Sequence, residues 1–241
     1  MNIDIISIFP DLFKTQQVGV CKRAFEQNEI TTKVWNPRNY ATEPHRNVDD
    51  RPFGGGPGMV MSYPPLSGAL EDINAQYPHT HTIYLSPQGK PLTQAVVKEL
   101  AILPQITLIS GRYAGIDQRI IDQYVDQEIS IGDYIVSGGE LPILVLIDAI
   151  ARLIPGTLNN NESADADSFN DGLLAGPYYT RPATINNKKT PEILTSGDHA
   201  AIKQWKKKES LRKTWQTRPD LLKRHLLDKE SLQMLEEIKK G

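Results

Sequence analysis

The sequence predicts an α/β protein, with a parallel sheet in its first two thirds and a small, all-helical, basic domain at its C-terminal end. Three observations carry this reading. Over residues 1–156, strand-type apolar runs alternate with segments of helical periodicity. Residues 157–171 (TLNNNESADADSFND) then break the pattern with a polar, acid-rich stretch that holds one Leu and one Phe. Such a composition buries too little apolar surface to order itself, so it reads as a flexible connector. Residues 172–241 return to helical periodicity and carry most of the excess positive charge.

Taken in order, strands are expected at 3–9, 30–35, 82–85, 106–110 and 129–136, where short β-branched and aliphatic runs occur. A first helix is expected from the spacing of Leu12, Val18, Val20, Ala24 and Phe25. Further helices are expected at 66–73, 95–100, 118–124 and 141–153. Strands separated by helices imply βαβ units around a parallel sheet. In the C-terminal part, helices are expected at 199–215, 218–226 and 228–238, with Pro219 at a helix start and Asp228 as an N-cap. The domain boundaries are therefore 1–156, 157–171 and 172–241.

Composition narrows the class. The 241 residues are 39% hydrophobic and 23% charged, as expected for a globular chain with a real core. The single Cys21 excludes an internal disulfide framework and a Cys-rich zinc site, and fits a reducing cytoplasm. The start, MNIDIISIF, has no basic leader region, so no signal peptide is expected. The most apolar stretch, 141–154, contains Asp148 and Arg152 and is too short to span a bilayer. Net charge is −2, but it is unevenly spread. Residues 1–198 hold 15 basic and 23 acidic residues, whereas 199–241 hold 12 basic and 6 acidic. This asymmetry points to a polyanionic partner for the basic part, a solvated helix face being the plainer account of charge alone.

Three turn-rich segments follow predicted strands: YLSPQG (84–89), GRYAGID (111–117) and IGDYIVSGGE (131–140). In open α/β sheets, ligands bind beyond the carboxyl ends of strands. Glycines there let backbone approach a ligand, so that N–H and C=O groups can read an adenine edge. Any one segment alone would be ordinary turn chemistry, but three on one side of a sheet favour a site. The run DDRPFGGGPGM (49–59) lacks the phosphate-loop lysine pattern, and Met59 breaks the dinucleotide fingerprint. Four glycines within 54–58 nevertheless favour contact with a ligand or nucleic acid.

Metal and nucleophile chemistry find little footing. His45, His79, His81, His199 and His225 show no paired ligand spacing, and Ser137 lacks the glycine of a nucleophile elbow. Asp148 and Arg152 would form a simple i,i+4 ion pair, and Asp167 would be a surface carboxylate.

Taken together, these segments resemble the bacterial tRNA (guanine-N1)-methyltransferase family of the SPOUT methyltransferase superfamily. The likeness runs through DDRPFGGGPGM, YLSPQG, GRYAGID, SIGDYIVSGGELP (130–142), DSFNDGLL (167–174), YTRP (179–182), SGDHA (196–200) and 215–222, in order along nearly the whole chain. The resemblance implies a deep trefoil knot in the sheet domain, a homodimer with the active site at the subunit interface, and methyl transfer from S-adenosylmethionine to N1 of guanosine 37 of tRNA. It maps catalysis onto Asp167, as base, and Arg152, as its partner. It maps the cofactor onto Tyr84, Leu85, Ser86 and Pro87, then Gly111, Tyr113 and Gly115. To these it adds Ile131, Gly132, Asp133, Tyr134, Ile135, Val136, Ser137, Gly138, Gly139, Leu141 and Pro142. Expected tRNA contacts are Gly58, Ser163, Lys203, Lys206, Lys207, Lys208 and Arg212. Trp205 and Trp215 are expected to pack the helical domain.

The chemistry fits those residue types. Guanine N1 carries a proton and becomes nucleophilic when a carboxylate removes it. An arginine then stabilises the charge that develops. Magnesium is a weaker implication, because Ala114 and Ala175 stand where the family carries Glu and Asp. Two alternatives stay open on sequence: an RNA-binding protein of this fold with weak or lost catalysis, and a methyltransferase of the superfamily acting at another RNA position.

Overall fold

In the computed structural model, β1 (Asn2–Ile6) and β2 (Thr31–Trp35) begin a five-stranded sheet completed by β5 (His81–Pro91), β6 (Gln105–Ser110) and β7 (Gln127–Ser130). The described residues are 1–16, 19, 21–27, 29–42, 44–158, 167–224 and 227–240. The strand order is β2-β1-β6-β5-β7, and every pairing is parallel. The chain divides into two compact units, Met1–Asn159 and Asn160–Gly241.

The central strands β1 and β6 and the first half of β5 bury both faces and are rich in aliphatic residues, whereas the edge strands β2 and β7 are partly exposed. On one face Ile3, Ile5, Ile106 and Leu108 pack with α3 (Gln94–Ala101) and α5 (Glu140–Ala151), through Val97, Leu100, Ile143, Ile147 and Ile150. On the other, Ile6 and Ile109 pack with α2 (Tyr63–Gln76) and α4 (Gln118–Tyr124), through Leu66, Leu70, Ile73 and Ile120. Asp4 is the exception in β1, only 2% exposed. Its carboxylate accepts from Trp35 Nε1 and Gln105 Nε2, each at 2.6 Å, so the buried oxygens are satisfied.

Three of the expected elements differ, the first being the strand expected at 3–9, which ends at Ile6. The first helix is a 3₁₀ turn, Pro10–Gln16, followed by the short α1 (Cys21–Glu26). Gly19 lies between them at φ 64, a left-handed conformation that a continuous helix does not contain; Val18 and Val20 lie outside the described residues. The expected strand 129–136 ends at Ser130. Ser130 Oγ accepts from Gly132 N at 3.2 Å, and Gly132 takes φ 144, which turns the chain out of the sheet. The apolar residues beyond it serve a loop rather than a strand. Two short strands, β3 (Asp49–Asp50) and β4 (Val60–Met61), pair across the glycine-rich run.

In the second unit, α6 (His199–Thr217), α7 (Pro219–Arg224) and α8 (Lys229–Lys240) surround a core of Leu173, Leu211 and Ile238 with Trp215, Leu222, Leu227 and Met234. Asp198 caps α6, accepting from Ala200 N and Ala201 N. Asp228 caps α8, accepting from Ser231 N at 2.7 Å. The segment before α6 is tied to it, Ser210 Oγ donating to Leu174 O at 2.6 Å and Leu174 N to Thr214 Oγ1 at 2.9 Å. The unit is not all-helical. β8 (Thr184–Ile185) and β9 (Lys188–Lys189) form a hairpin, because Asn186 and Asn187 accept φ 51 and 62, as a type I′ turn requires.

Of the expected connector, 159–166 lie outside the described residues. Thr157 before them is buried, and Asp167 after them opens a turn in which Asn170 N donates to Asp167 O. Among the described residues, no helix is long and apolar enough to cross a membrane.

Candidate functional site

A cavity of about 380 Å³ opens beyond the carboxyl ends of β5, β6 and β7. Its size suits a small-molecule ligand. Each wall has a local cause. In the first wall, Leu85 and Lys90 both face Ile129 of β7, so the four residues between them loop out of the sheet. Ser86, Pro87 and Gln88 of that loop line the cavity, and Ser86 Oγ holds the turn by accepting from Gln88 N at 3.1 Å. Gly89 closes the excursion so tightly that a Cβ there would lie 2.4 Å from the backbone of Glu128 and Ile129.

The second wall is the loop after β6, from Gly111 to Ile116. Tyr113 takes φ 60 and Gly115 φ 128. Gly111 is required by contact rather than by dihedral, since a Cβ there would meet Tyr84 Oη at 2.6 Å. Burial, with the Glu128 carboxylate adding to it, pushes the Tyr84 phenol up to about 12, so it stays protonated at neutral pH.

The third wall runs through Ile131, Gly132 and the stretch from Tyr134 to Gly139. It is strapped to the second wall. Gly139 N donates to Gly111 O at 2.9 Å, and Arg112 bridges Gly138. Beneath this strap lies Glu140, 2% exposed, whose carboxylate accepts from Arg112 Nε at 3.0 Å and Ser7 Oγ at 3.1 Å. A buried carboxylate with two partners joins Ser7, just beyond β1, to both glycine loops.

The expected cofactor residues therefore converge, with two exceptions. Asp133 and Leu141 do not line the cavity. Asp133 is exposed after the Gly132 turn, and Leu141 is 55% exposed on the face of α5 turned away from the core. Lining residues outside the expected set include Gln88, Arg112, Gln118 and Ser130. Arg112 is visible between Gly111 and Tyr113 in GRYAGID, but nothing in the local sequence signals its buried partner 28 residues on.

The glycine-rich run joins the same side. Ala114 N donates to Met59 O, Met61 N to Gly115 O and Asp117 N to Met61 O, which zips β4 to the second wall. Gly58, at φ 91, lies with its Cα facing Ala114, where a Cβ would be 3.9 Å from the alanine methyl. Beside this zip a second hollow, about 820 Å³, is lined by Arg51, Phe53, Tyr63 and Arg119 among others.

Arg152 caps α5 in the first unit, its N–H donating to Asp148 O. Asp167 is exposed at the start of the described part of the second unit. Ser163 lies outside the described residues. Of the expected tRNA contacts on α6, Lys207 pairs with Asp228 and Glu230, Lys208 with Glu237, and Arg212 with Glu209. Lys203 and Lys206 are exposed and make no ion pair among the described residues. Trp215 packs in the second core, and Trp205 meets Tyr179 with ring centroids 6.4 Å apart.

The cavity suits an adenosyl cofactor: its walls offer backbone polar groups and glycine surfaces that side chains would fill. A magnesium site does not fit at Ala114 and Ala175, whose methyl side chains bring no oxygen ligand. Among the described residues, no group of three or more His, Cys, Asp or Glu side chains could hold a metal ion.

A family model described as tRNA (Guanine-1)-methyltransferase TrmD matches residues 1–224. A tRNA (guanine-N(1)-)-methyltransferase of Coxiella burnetii (strain Dugway 5J108-111) is 52% identical over 237 residues, covering 98% of this chain and 96% of the relative. A protein of the same description from Pseudomonas aeruginosa (strain LESB58) is 50% identical over 238 residues, covering 98% and 94%. The chain belongs to the tRNA (Guanine-1)-methyltransferase family.

Proposed function

We propose that this protein transfers a methyl group from S-adenosylmethionine to N1 of the guanosine at position 37 of tRNA, next to the anticodon. The chain is a tRNA (guanine-N1)-methyltransferase by family. The observation that supports the cofactor site is the convergence of three glycine-bearing loops on one cavity beyond a parallel sheet. S-adenosylmethionine, when bound, supplies a methyl group activated by a positively charged sulfur.

The chain's own residues do the rest. Backbone of the three walls, with Tyr84, Leu85, Ser86 and Pro87, orients the donor and keeps water away from it. Asp167 accepts the proton that leaves guanine N1, which frees the nitrogen lone pair for attack. Arg152 donates hydrogen bonds to the negative charge that develops across the N1–O6 edge.

The knot, the homodimer and the cytoplasmic setting are what the resemblance implies. The deep knot is consistent with the strap between the second and third walls, where Gly139 N meets Gly111 O. The first unit is the cofactor domain and the second the tRNA-binding domain. The protein works as a homodimer in the cytoplasm, with the active site at the subunit interface. α6, through Lys203 and Lys206, contacts tRNA phosphates.

The test is methyl transfer from labelled S-adenosylmethionine to tRNA that has or lacks guanosine at position 37. Transfer is expected only to the first. Asp167→Asn is expected to lower kcat roughly 10²- to 10⁴-fold, the usual range for losing a general base, with cofactor affinity unchanged. Equal transfer to both tRNAs would refute the position. No transfer to either, with cofactor still bound, would favour the RNA-binding alternative.

A further inference from the structure

We propose that the hairpin arm of the second unit, 177–190, is an RNA-contact surface that grips phosphates of the tRNA independently of α6. The inference rests on the tRNA-methylating reading above and adds a surface to it. Residues 172–191 contain no Asp or Glu, yet hold Arg181, Lys188 and Lys189. Every residue from 177 to 189 is exposed. The segment is nonetheless regular. β8 and β9 pair Thr184 with Lys189 and Ile185 with Lys188, and Thr190 N donates to Ala183 O at 2.8 Å.

A ribbon of two residues per strand has little stability of its own in water. Nothing in its burial repays its shape, as Ile185 is 50% exposed at its tip. What the ribbon does achieve is presentation. Adjacent residues of a strand point to opposite faces, so Lys188 and Lys189 put one cation on each side. The base of the arm is fixed, Tyr179 packing against Trp205 of α6 in a tilted ring pair.

The charge environment selects the partner. Arg181, Lys188 and Lys189 make no ion pair among the described residues, whereas Lys207, Lys208 and Arg212 of α6 each face a carboxylate of their own unit. A cation with an internal carboxylate must exchange one ion pair for another on binding phosphate. A cation without one gains the whole interaction and releases the phosphate's counterion. An acid-free, doubly cationic ribbon thus matches a nucleic-acid backbone.

The experiment is tRNA binding by the full-length protein across a series of salt concentrations. Arg181→Gln, Lys188→Gln and Lys189→Gln are combined, which removes charge while keeping side-chain bulk. The slope of log affinity against log salt is expected to flatten by ~2–3, at about 0.7–0.9 for each phosphate that is no longer neutralised. Affinity at low salt is expected to fall at least tenfold, and Lys188→Arg with Lys189→Arg to keep the parent slope. The triple change Lys207→Gln, Lys208→Gln, Arg212→Gln is expected to flatten the slope less. A hairpin variant with the parent's slope, in a protein that binds tRNA and melts like the parent, would overturn the proposal alone. A parent that does not bind tRNA would overturn the functional reading with it. A flattened slope accompanied by a change in sedimenting mass would make the arm a contact between copies and also overturn the proposal.

Discussion

In the first unit, the proposed cofactor site is built from backbone: three loops and their glycines wall a cavity, held by a sheet whose central strands are buried on both faces. In the second, the proposed tRNA contacts are side chains instead, cations on a helix and a hairpin around a core of Leu173, Leu211 and Ile238. The difference follows from what each has to recognise. A small cofactor is held by short-range contacts, which tolerate displacements of tenths of an ångström and therefore need a stiff frame. A polyanion is held by charge, which acts over the Debye length of ~8–10 Å and tolerates a looser support. The first unit should therefore be brittle to added methyl groups, and the second should respond to charge and pH.

The strongest way to break the contrast is Gly89→Ala. Its Cβ would sit 2.4 Å from backbone of β7, which has no rotamer by which to yield. A loss of about 3 kcal/mol or more in unfolding free energy is expected by chemical denaturation, from overpacking against a strand. A variant of parental stability would mean that the looped-out wall is not rigid.

Next in size is Gly111→Ala, where the clash is with the Tyr84 ring rather than with backbone. Overpacking is expected to lower unfolding free energy by ~1–3 kcal/mol, measured by chemical denaturation. Tyr84→Ala in the same chain should recover part of the loss. Full additivity of the two would show that the ring is not the obstacle.

The smallest expected effect lies in the second unit. The hydrogen bond from Ser231 N, and the Lys207 ammonium after it, hold the Asp228 carboxyl down to about 2. A carboxyl depressed in the folded state contributes stability above its unfolded value of ~3.9, and that contribution is lost as pH falls towards the folded value. Helix content at 222 nm should therefore be higher in the parent than in Asp228→Ala at pH 7, with the gap closing between about pH 4 and pH 2. A gap that persists at pH 2 would remove the charge of Asp228 from the capping account.

Much of this is legible in the sequence, for identifiable reasons. β6 and α4 match because one is a run buried on both faces and the other a seven-residue amphipathic turn with Asp117 as its cap. The cavity loops are legible because glycine clusters after strands have few other uses. The stretch 131–136 misleads because its Ile and Val have the character of strand residues, whereas Ile131, Ile135 and Val136 line the cavity instead. The hairpin at 184–189 is hidden because its turn is Asn-Asn rather than Asn-Gly and its strands hold two residues each. Engagement of Lys207 and Lys208 is invisible for a different reason. Their carboxylate partners lie 21 to 29 residues away, beyond any helical spacing rule.

The carboxylate of Glu140 beneath the cavity has a consequence for how the enzyme meets its cofactor. One acid ties Ser7, just beyond the first strand, to both glycine loops at once with no ligand present. On the proposed reading, a donor arriving there would have less of the protein to order, so that more of its contact energy would appear as affinity.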